Sequence, residues 1–162
     1  MKKGYFYIFL LIFADQATKF LARFFYTGKE ILIVDNILRI SYVENRGISF
    51  GLLQGQNLLF IIVTTIALLF FGYLYLKIDF KSKKLYSISV ILFLSGTFGN
   101  ALDRIFYGFV IDFMNFPFLK IPLEVIGLPN FYNNFADMYL FFGLIIFFID
   151  SLRERKNKVW KV

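Results

Sequence analysis

Apolar and polar residues follow one another along this chain in blocks. The block pattern predicts four transmembrane helices, because an apolar run of eighteen residues or more can cross a bilayer as a helix. The four runs cover 5–25, 57–76, 85–102 and 135–152. The first run follows Lys2 and Lys3, which is also typical of a cleaved signal peptide. Its apolar character continues to Phe25, which favours a retained helix.

The segment 27–53, between the first and second runs, has a different pattern. Leu38, Ile40 and Tyr42 alternate with the polar residues Arg39 and Ser41, as in a half-buried strand. A turn is expected at 35–36, between two runs rich in β-branched residues. We therefore predict a small β-sheet between helices 1 and 2, and a mainly α-helical membrane protein forming one domain, 1–162.

A third kind of segment, 113–133, joins the last two helices. It contains every proline of the chain, Pro117, Pro122 and Pro129, together with several aromatic residues and few charges. Prolines disfavour a continuous helix, and aromatic residues favour the membrane–water interface. We expect this segment to form a loop that lies in the interface.

The composition indicates a membrane protein and excludes several kinds of catalytic site. The chain is 59% hydrophobic and 22% aromatic, too apolar for a soluble domain of this size. It contains no cysteine and no histidine. Serine–histidine triads, cysteine nucleophiles, thiolate metal sites and histidine zinc sites are therefore excluded. Acid–base chemistry would have to come from Asp, Glu, Lys or Tyr, and no metal or organic cofactor is expected.

The net charge of +7 follows the membrane topology. In a four-helix arrangement most basic residues fall on one side, which the positive-inside rule assigns to the cytoplasm with both termini. They are Lys2, Lys3, Lys77, Lys81, Lys83, Lys84, Arg153, Arg155, Lys156, Lys158 and Lys161. The predicted sheet and the proline-rich loop then lie on the extracytoplasmic side. No basic stripe with interleaved aromatic residues lies outside the membrane flanks, so no nucleic-acid partner is expected.

Two charged residues interrupt the first predicted helix. Asp15 and Lys19 are four residues apart and share one helix face, where they can form an ion pair. Burial of both costs less than burial of either alone. Two interpretations stay open: a neutralised pair that ties helix 1 to its neighbours, or a role in a functional site.

The charges after the third run are the strongest functional signal. Asp103 and Arg104 are followed by Asp112, and Asp137 opens the fourth run, so both Asp112 and Asp137 are placed near the extracytoplasmic face. Two carboxylates held close together cannot both ionise easily, so a water between them can become a nucleophile. Asp112 could also be a simple acid at headgroup level, and Asp103 with Arg104 a local ion pair. Candidate supporting donors are Asn45, Asn100, Arg104 and Asn134.

Four short blocks resemble, in order, those of the prolipoprotein signal peptidases (signal peptidase II). Asp15 to Lys19, DQATK, resembles the family's D-Q-x-T-K, and Asn45 to Gly51, NRGISFG, resembles N-x-G-x-x-F-G. Gly99 to Arg104, GNALDR, followed by VIDF at 110–113, resembles G-N-x-x-D-R and V-x-D-F. NFAD at 134–137 resembles N-x-A-D. Each block alone is weak, but four in order are specific.

The resemblance implies an aspartic endopeptidase of the bacterial inner membrane, with four helices and a surface sheet. It implies catalytic roles for Asp112 and Asp137. Its substrate would be a diacylglyceryl-modified prolipoprotein, cut before the lipidated cysteine. Partners would be such substrates and membrane lipids, and a monomer is expected. Supporting or substrate-contacting roles are implied for Asp15, Lys19, Asn45, Gly47, Asn100, Asp103, Arg104, Asn134 and Ala136.

The chain departs from the family pattern at two places. Ser95-Gly96 stands where the family usually has Gly-Gly, and Asn133 stands where it usually has Phe. Both positions flank the implied site, so they bear on the shape of the pocket more than on the reaction.

Two other functions use the same acids. A small proton-coupled transporter would need acids along a path through the bilayer, whereas these acids gather at one face. A non-catalytic scaffold would use Asp112 and Asp137 only to fix helix packing, and neutral isosteres there would leave activity unchanged or raise stability.

Overall fold

A computed structural model describes residues 2–47, 56–120, 125 and 132–159. In this part of the chain there are four long helices, a four-stranded sheet and one short 3₁₀ turn at Pro117–Leu119. The helices are α1 (Lys2–Tyr26), α2 (Asn57–Tyr75), α3 (Lys84–Tyr107) and α4 (Phe135–Val159).

Three of these helices, α2, α3 and α4, are long and apolar enough to cross a membrane. Four spans were predicted, and α1 is the helix that falls outside this set. Its apolar sequence is interrupted by Asp15, Gln16 and Lys19. Its outer surface is nevertheless lined with exposed aromatic residues, among them Phe9, Phe20 and Phe24.

Helix α3 is the centre of the bundle. In its most apolar stretch 67% of the residues are buried, against 11% of the residues in the corresponding stretches of α2 and α4. Two glycines let its neighbours approach closely. A Cβ on Gly96 would lie 2.5 Å from the backbone oxygen of Ala136, and one on Gly99 would lie 2.5 Å from Oδ2 of Asp15. The small residues of α3 therefore bring α1 and α4 to the same point.

The sheet is antiparallel with the order β1-β2-β3-β4. Its strands are β1 (Glu30–Val34), β2 (Leu38–Asn45), β3 (Val110–Asn115) and β4 (Tyr132–Asn133). The predicted turn at 35–36 joins β1 to β2, and Asn36 adopts a left-handed backbone with φ 54°. Asn tolerates this conformation better than most residues.

The region after α3 corrects the predicted boundaries. Helix 3 was expected to end at Leu102, but it continues to Tyr107 and stops at Gly108, whose φ is 79°. The predicted loop 113–133 begins inside strand β3 and ends in strand β4. Strand β3 is buried on both faces, so its sequence, VIDFMN, lacks the polar alternation that marks a half-exposed strand. Positions 48–55, including the rest of the second motif, and most of 121–131 lie outside the described residues.

Candidate active site

The motif at 134–137 forms the start of α4 as a capping box. The backbone N–H of Asp137 donates to Oδ1 of Asn134 at 2.9 Å, and the backbone N–H of Asn134 donates to Oδ2 of Asp137 at 3.3 Å. This reciprocal arrangement satisfies helix-terminal donors that would otherwise have no partner. The fold thereby fixes the Asp137 carboxylate at the first turn of α4.

Asp112 lies on β3 and is 2% exposed. The side-chain amide of Asn45, on the neighbouring strand β2, donates to its Oδ2 at 2.8 Å. The amide of Asn134 donates to its Oδ1 at 2.7 Å. The backbone N–H of Gly47 donates to Oδ1 of Asn45 at 3.1 Å, which orients the Asn45 amide so that its nitrogen faces Asp112.

The two carboxylates are linked through amides. Asn134 bonds to both, and Asn100 donates from Nδ2 to Oδ1 of Asp137 at 2.8 Å. Asn100 and Asn134 are themselves joined, with Nδ2 of Asn134 donating to Oδ1 of Asn100 at 3.1 Å. Burial, and then the negative charge of Asp137, raise the pKa of Asp112 to about 8. The structure thus brings Asp112 and Asp137 into one electrostatic site.

A buried charge cluster lies beneath this pair. Lys19 is 1% exposed, and its Nζ contacts Oδ2 of Asp15 at 2.8 Å and Oδ2 of Asp103 at 2.9 Å. The same Nζ donates to Oδ1 of Asn100 at 3.0 Å. The ion pair predicted from the Asp15–Lys19 spacing is therefore present. Asn100 in turn donates to Asp137, so Lys19 also fixes the side chain that holds the Asp137 carboxylate.

The prediction of a local Asp103–Arg104 ion pair is wrong. Asp103 faces α1 and pairs with Lys19, and it also accepts from the backbone N–H of Ile111 at 3.0 Å. The Arg104 guanidinium instead lies 5.1 Å from the ring centroid of Phe60. Successive residues of a helix point in directions about 100° apart, so neighbours in sequence do not face each other.

Two further residues complete the cluster. The backbone N–H of Ala136 donates to Oδ1 of Asp15 at 2.8 Å, which joins α1 to the start of α4. Gln16 was not singled out from the sequence. Its Nε2 lies within hydrogen-bonding distance of Oδ1 of Asp103, at 3.0 Å, and of the Gly99 carbonyl, at 3.1 Å. A polar side chain next to an acid in an apolar helix was the signal that could have identified it.

The arrangement joins two carboxylates in one hydrogen-bonded network. Within the described ranges, no group of three or more carboxylate, imidazole or thiol side chains converges to hold a metal ion. The amides of Asn45, Asn100 and Asn134 donate to the acids and so fix their orientation.

Fold and site together describe a membrane protein with two linked acids, Asp112 and Asp137, at one end of its helix bundle, and the comparisons with known proteins agree. Residues 7–153 match the family model described as Signal peptidase (SPase) II. A lipoprotein signal peptidase of Halalkalibacterium halodurans is 36% identical, with 92% of each chain covered. One of Clostridium novyi is 35% identical, with 90% of this chain and 94% of that one covered. The chain belongs to the signal peptidase II family, which is a family of proteases.

Solved structures support the same fold. One bacterial membrane enzyme superposes with a TM-score of 0.82 at 26% identity, covering 98% of this chain and 92% of its own. Another superposes with a TM-score of 0.77 at 25% identity, covering 94% of each chain.

Proposed function

We propose that this protein is an aspartic endopeptidase that removes the signal peptide from diacylglyceryl-modified prolipoproteins, cleaving before the lipidated cysteine. The observation that carries the proposal is the linkage of Asp112 and Asp137 through Asn134 and Asn100. The relatives named lipoprotein signal peptidase support the substrate class. The alternatives of a transporter and a scaffold have no comparable support.

In the proposed reaction the pair of acids holds one proton between them. The ionised carboxylate takes a proton from water as the water oxygen attacks the scissile carbonyl carbon, and the protonated carboxyl gives its proton to the carbonyl oxygen. The resulting gem-diol collapses as one of its hydroxyls returns a proton to an acid and the leaving nitrogen receives one. The carbon–nitrogen bond breaks, and the products are a signal peptide carboxylate and a cysteine amino terminus.

Supporting roles follow from the contacts. Asn45, with Gly47 behind it, orients Asp112, and Asn134 orients both acids. Asn100 orients Asp137, while Lys19, Asp15, Asp103 and the backbone of Ala136 hold that donor in place. For Arg104, half-buried above Phe60 in the same region, we propose a contact with the substrate peptide.

The proposed topology places α1 as a fourth span, both termini in the cytoplasm and the acid pair near the extracytoplasmic face of the bacterial inner membrane. The exposed aromatic residues of α1 support its contact with lipid. The loop between α2 and α3 carries Lys77, Lys81 and Lys83, at the end of the bundle away from the sheet. The proposed functional unit is a monomer.

The test is cleavage of a lipidated prolipoprotein by purified Asp112→Asn and Asp137→Asn. We expect both to lose activity, as read from the released signal peptide by mass spectrometry, while keeping the wild-type melting temperature to within a few degrees. Asp35→Asn, the same change at an exposed turn, is the matched control and is expected to cleave normally. Cleavage at wild-type rate by either folded site variant would refute the acid pair.

A further inference from the structure

A cavity borders the buried charge cluster, because Gln16 and Lys19 line it. Its volume is about 380 Å³, and Arg23 completes its polar wall. Its apolar wall is formed by Phe20, Phe24, Tyr107 and Ile111. Neither Asp112 nor Asp137 lines it, so it is separate from the proposed cleavage site.

The two cationic side chains of this cavity, Lys19 and Arg23, differ in whether an acid neutralises them. Lys19 is neutralised by Asp15 and Asp103. Arg23 is exposed, lies 5.0 Å from the ring centroid of Tyr107, and has no ion pair within the described part of the chain. Glu44 of the sheet feels the charge of Arg23, but Glu44 forms its ion pair with Arg46, at 2.8 Å. One guanidinium at the mouth of the cavity is therefore available to an anion.

The apolar wall continues onto the lipid-facing surface of α1. Phe20 is 65% exposed and Phe24 is 71% exposed, and both border the cavity. Arg23 is in the last turn of α1, at the end of the bundle next to the sheet, where a membrane helix meets the headgroups. A cation at headgroup level above an apolar wall matches an amphiphile that has a negative head and an acyl chain.

We propose that this cavity binds an anionic phospholipid of the surrounding bilayer, with its phosphate on the Arg23 guanidinium and an acyl chain along Phe20 and Phe24. The bound lipid would also stabilise the side chains that hold Asp137 in the proposed cleavage site. Gln16 and Lys19 line the cavity, Gln16 bonds to Asp103, and Lys19 bonds to the Asn100 that holds Asp137. The effect on cleavage rests on the proposed function, whereas the binding itself does not.

The test measures lipid retention by the full chain in detergent, using native mass spectrometry with phosphatidylglycerol and with phosphatidylcholine. We expect the wild type to retain phosphatidylglycerol more tightly than phosphatidylcholine. Arg23→Gln should weaken phosphatidylglycerol about fivefold, since one basic residue near a membrane surface contributes about that much. Arg39→Gln, at an exposed arginine of the sheet, is the matched control and should change nothing.

Three outcomes would overturn the proposal. Equal retention of both lipids by the wild type would remove the charge selectivity. Displacement of the lipid by inorganic phosphate at equal concentration would show an anion site without an acyl subsite. Loss of only thermal stability in Arg23→Gln, with lipid retention unchanged, would show that Arg23 merely completes the end of α1.

Repeating the measurement with Asp112→Asn separates this proposal from the proposed function. This variant is expected to retain phosphatidylglycerol like the wild type while failing to cleave. Should it cleave normally but still retain the lipid, the acid pair would be refuted and the lipid site would stand. Should Arg23→Gln raise the KM for prolipoprotein while retaining phosphatidylglycerol, the cavity would belong to the substrate and the lipid proposal would fail.

Discussion

Two pairs of acids lie next to each other in this bundle, and they are compensated in different ways. Asp15, Asp103 and Asp112 are buried, whereas Asp137 is partly exposed. Asp15 and Asp103 share the ammonium group of Lys19, with both contacts shorter than 3.0 Å. Asp112 and Asp137 contact no cation within the described residues and are held by the amides of Asn45, Asn100 and Asn134. Arg104 attracts both acids from a distance but forms no ion pair with either.

From this difference we infer that Asp15 and Asp103 form a structural pair, whereas Asp112 and Asp137 form the proposed reactive pair. An ammonium group beside a carboxylate stabilises the charged form of that carboxylate, and Lys19 gives this compensation to both Asp15 and Asp103. Amides satisfy the hydrogen bonds of a carboxylate without cancelling its charge, so two such acids in one buried site compete for a proton. Proton competition of this kind is what a general acid and base require.

The largest expected effect comes from breaking the reactive pair. Asp112→Asn and Asp137→Asn should each lower kcat/KM by about a thousandfold or more, and the double variant should be no slower than the slower single one. The reason is that the two acids act as one unit on one water. Independent, multiplying losses in the double variant would show that the acids act separately.

Breaking the structural pair should act on stability instead. Lys19→Met leaves two buried carboxylates without a counter-charge and should lower the free energy of unfolding by about 3–5 kcal/mol. The free energy of unfolding is measured by chemical denaturation in detergent, with the loss of helix followed by far-UV circular dichroism. Lys81→Met, at an exposed loop lysine, is the control.

A compensating variant makes this second prediction specific. Adding Asp15→Asn and Asp103→Asn to Lys19→Met removes all three charges at once, and stability should largely return. If the triple variant stays as unstable as Lys19→Met, the contribution of Lys19 would be packing of its methylene chain rather than charge.

Much of this organisation could be predicted from the sequence, because it is encoded locally. Apolar runs identified the four helices, and the short motifs identified the acids that meet in space. The Asn134–Asp137 spacing is a capping signal that can be read without a structure. The ion pair of Asp15 with Lys19 follows from helical spacing on one element.

What could not be predicted depends on contacts between elements. Asp103 was assigned to its neighbour Arg104, because nothing local indicates that it faces Lys19 on another helix. Strand β3 was missed because burial on both faces removes the polar alternation of a strand. The role of Gln16, which reaches two positions of α3, is likewise invisible in α1 alone.

A smaller effect is expected in the pH dependence of activity and stability, because Asp112 titrates near neutral pH. The pKa of Asp112 is raised to about 8 by burial and by Asp137, so kcat/KM should fall about tenfold between pH 7 and pH 9 as the shared proton is lost. The pKa of this carboxyl in the unfolded chain is near 3.8, below its folded value. Between these two pH values the folded state binds a proton on Asp112 that the unfolded state does not bind. The contribution of Asp112 to the free energy of unfolding is therefore complete below about pH 4 and is lost as pH rises through about 8.

Asp112→Asn is the check on that sign. It removes the titrating group, so the fall in stability between pH 5 and about 8 should become shallower than in the wild type. Melting temperatures at fixed ionic strength across this range measure it. A steeper fall in the variant would contradict the raised pKa.

The smallest expected effect concerns the buried side-chain Nδ2 of Asn133, which has neither a counter-charge nor a hydrogen-bond partner within the described residues. Asn133 lies next to Asn134, but its Nδ2 has no hydrogen-bond partner within the described part of the chain. Asn133→Leu replaces a buried side chain whose Nδ2 is unsatisfied by an apolar side chain of the same branching, and should raise the free energy of unfolding by about 1 kcal/mol. Asn134→Leu, one position along, removes an amide that bonds to Asp112 and Asn100, and should destabilise the protein. Opposite signs at these two adjacent asparagines, measured by denaturation of both variants under one condition, are expected because the side-chain Nδ2 has hydrogen-bond partners in Asn134 and none within the described residues in Asn133. Destabilisation by both changes would mean that a bound water satisfies Asn133.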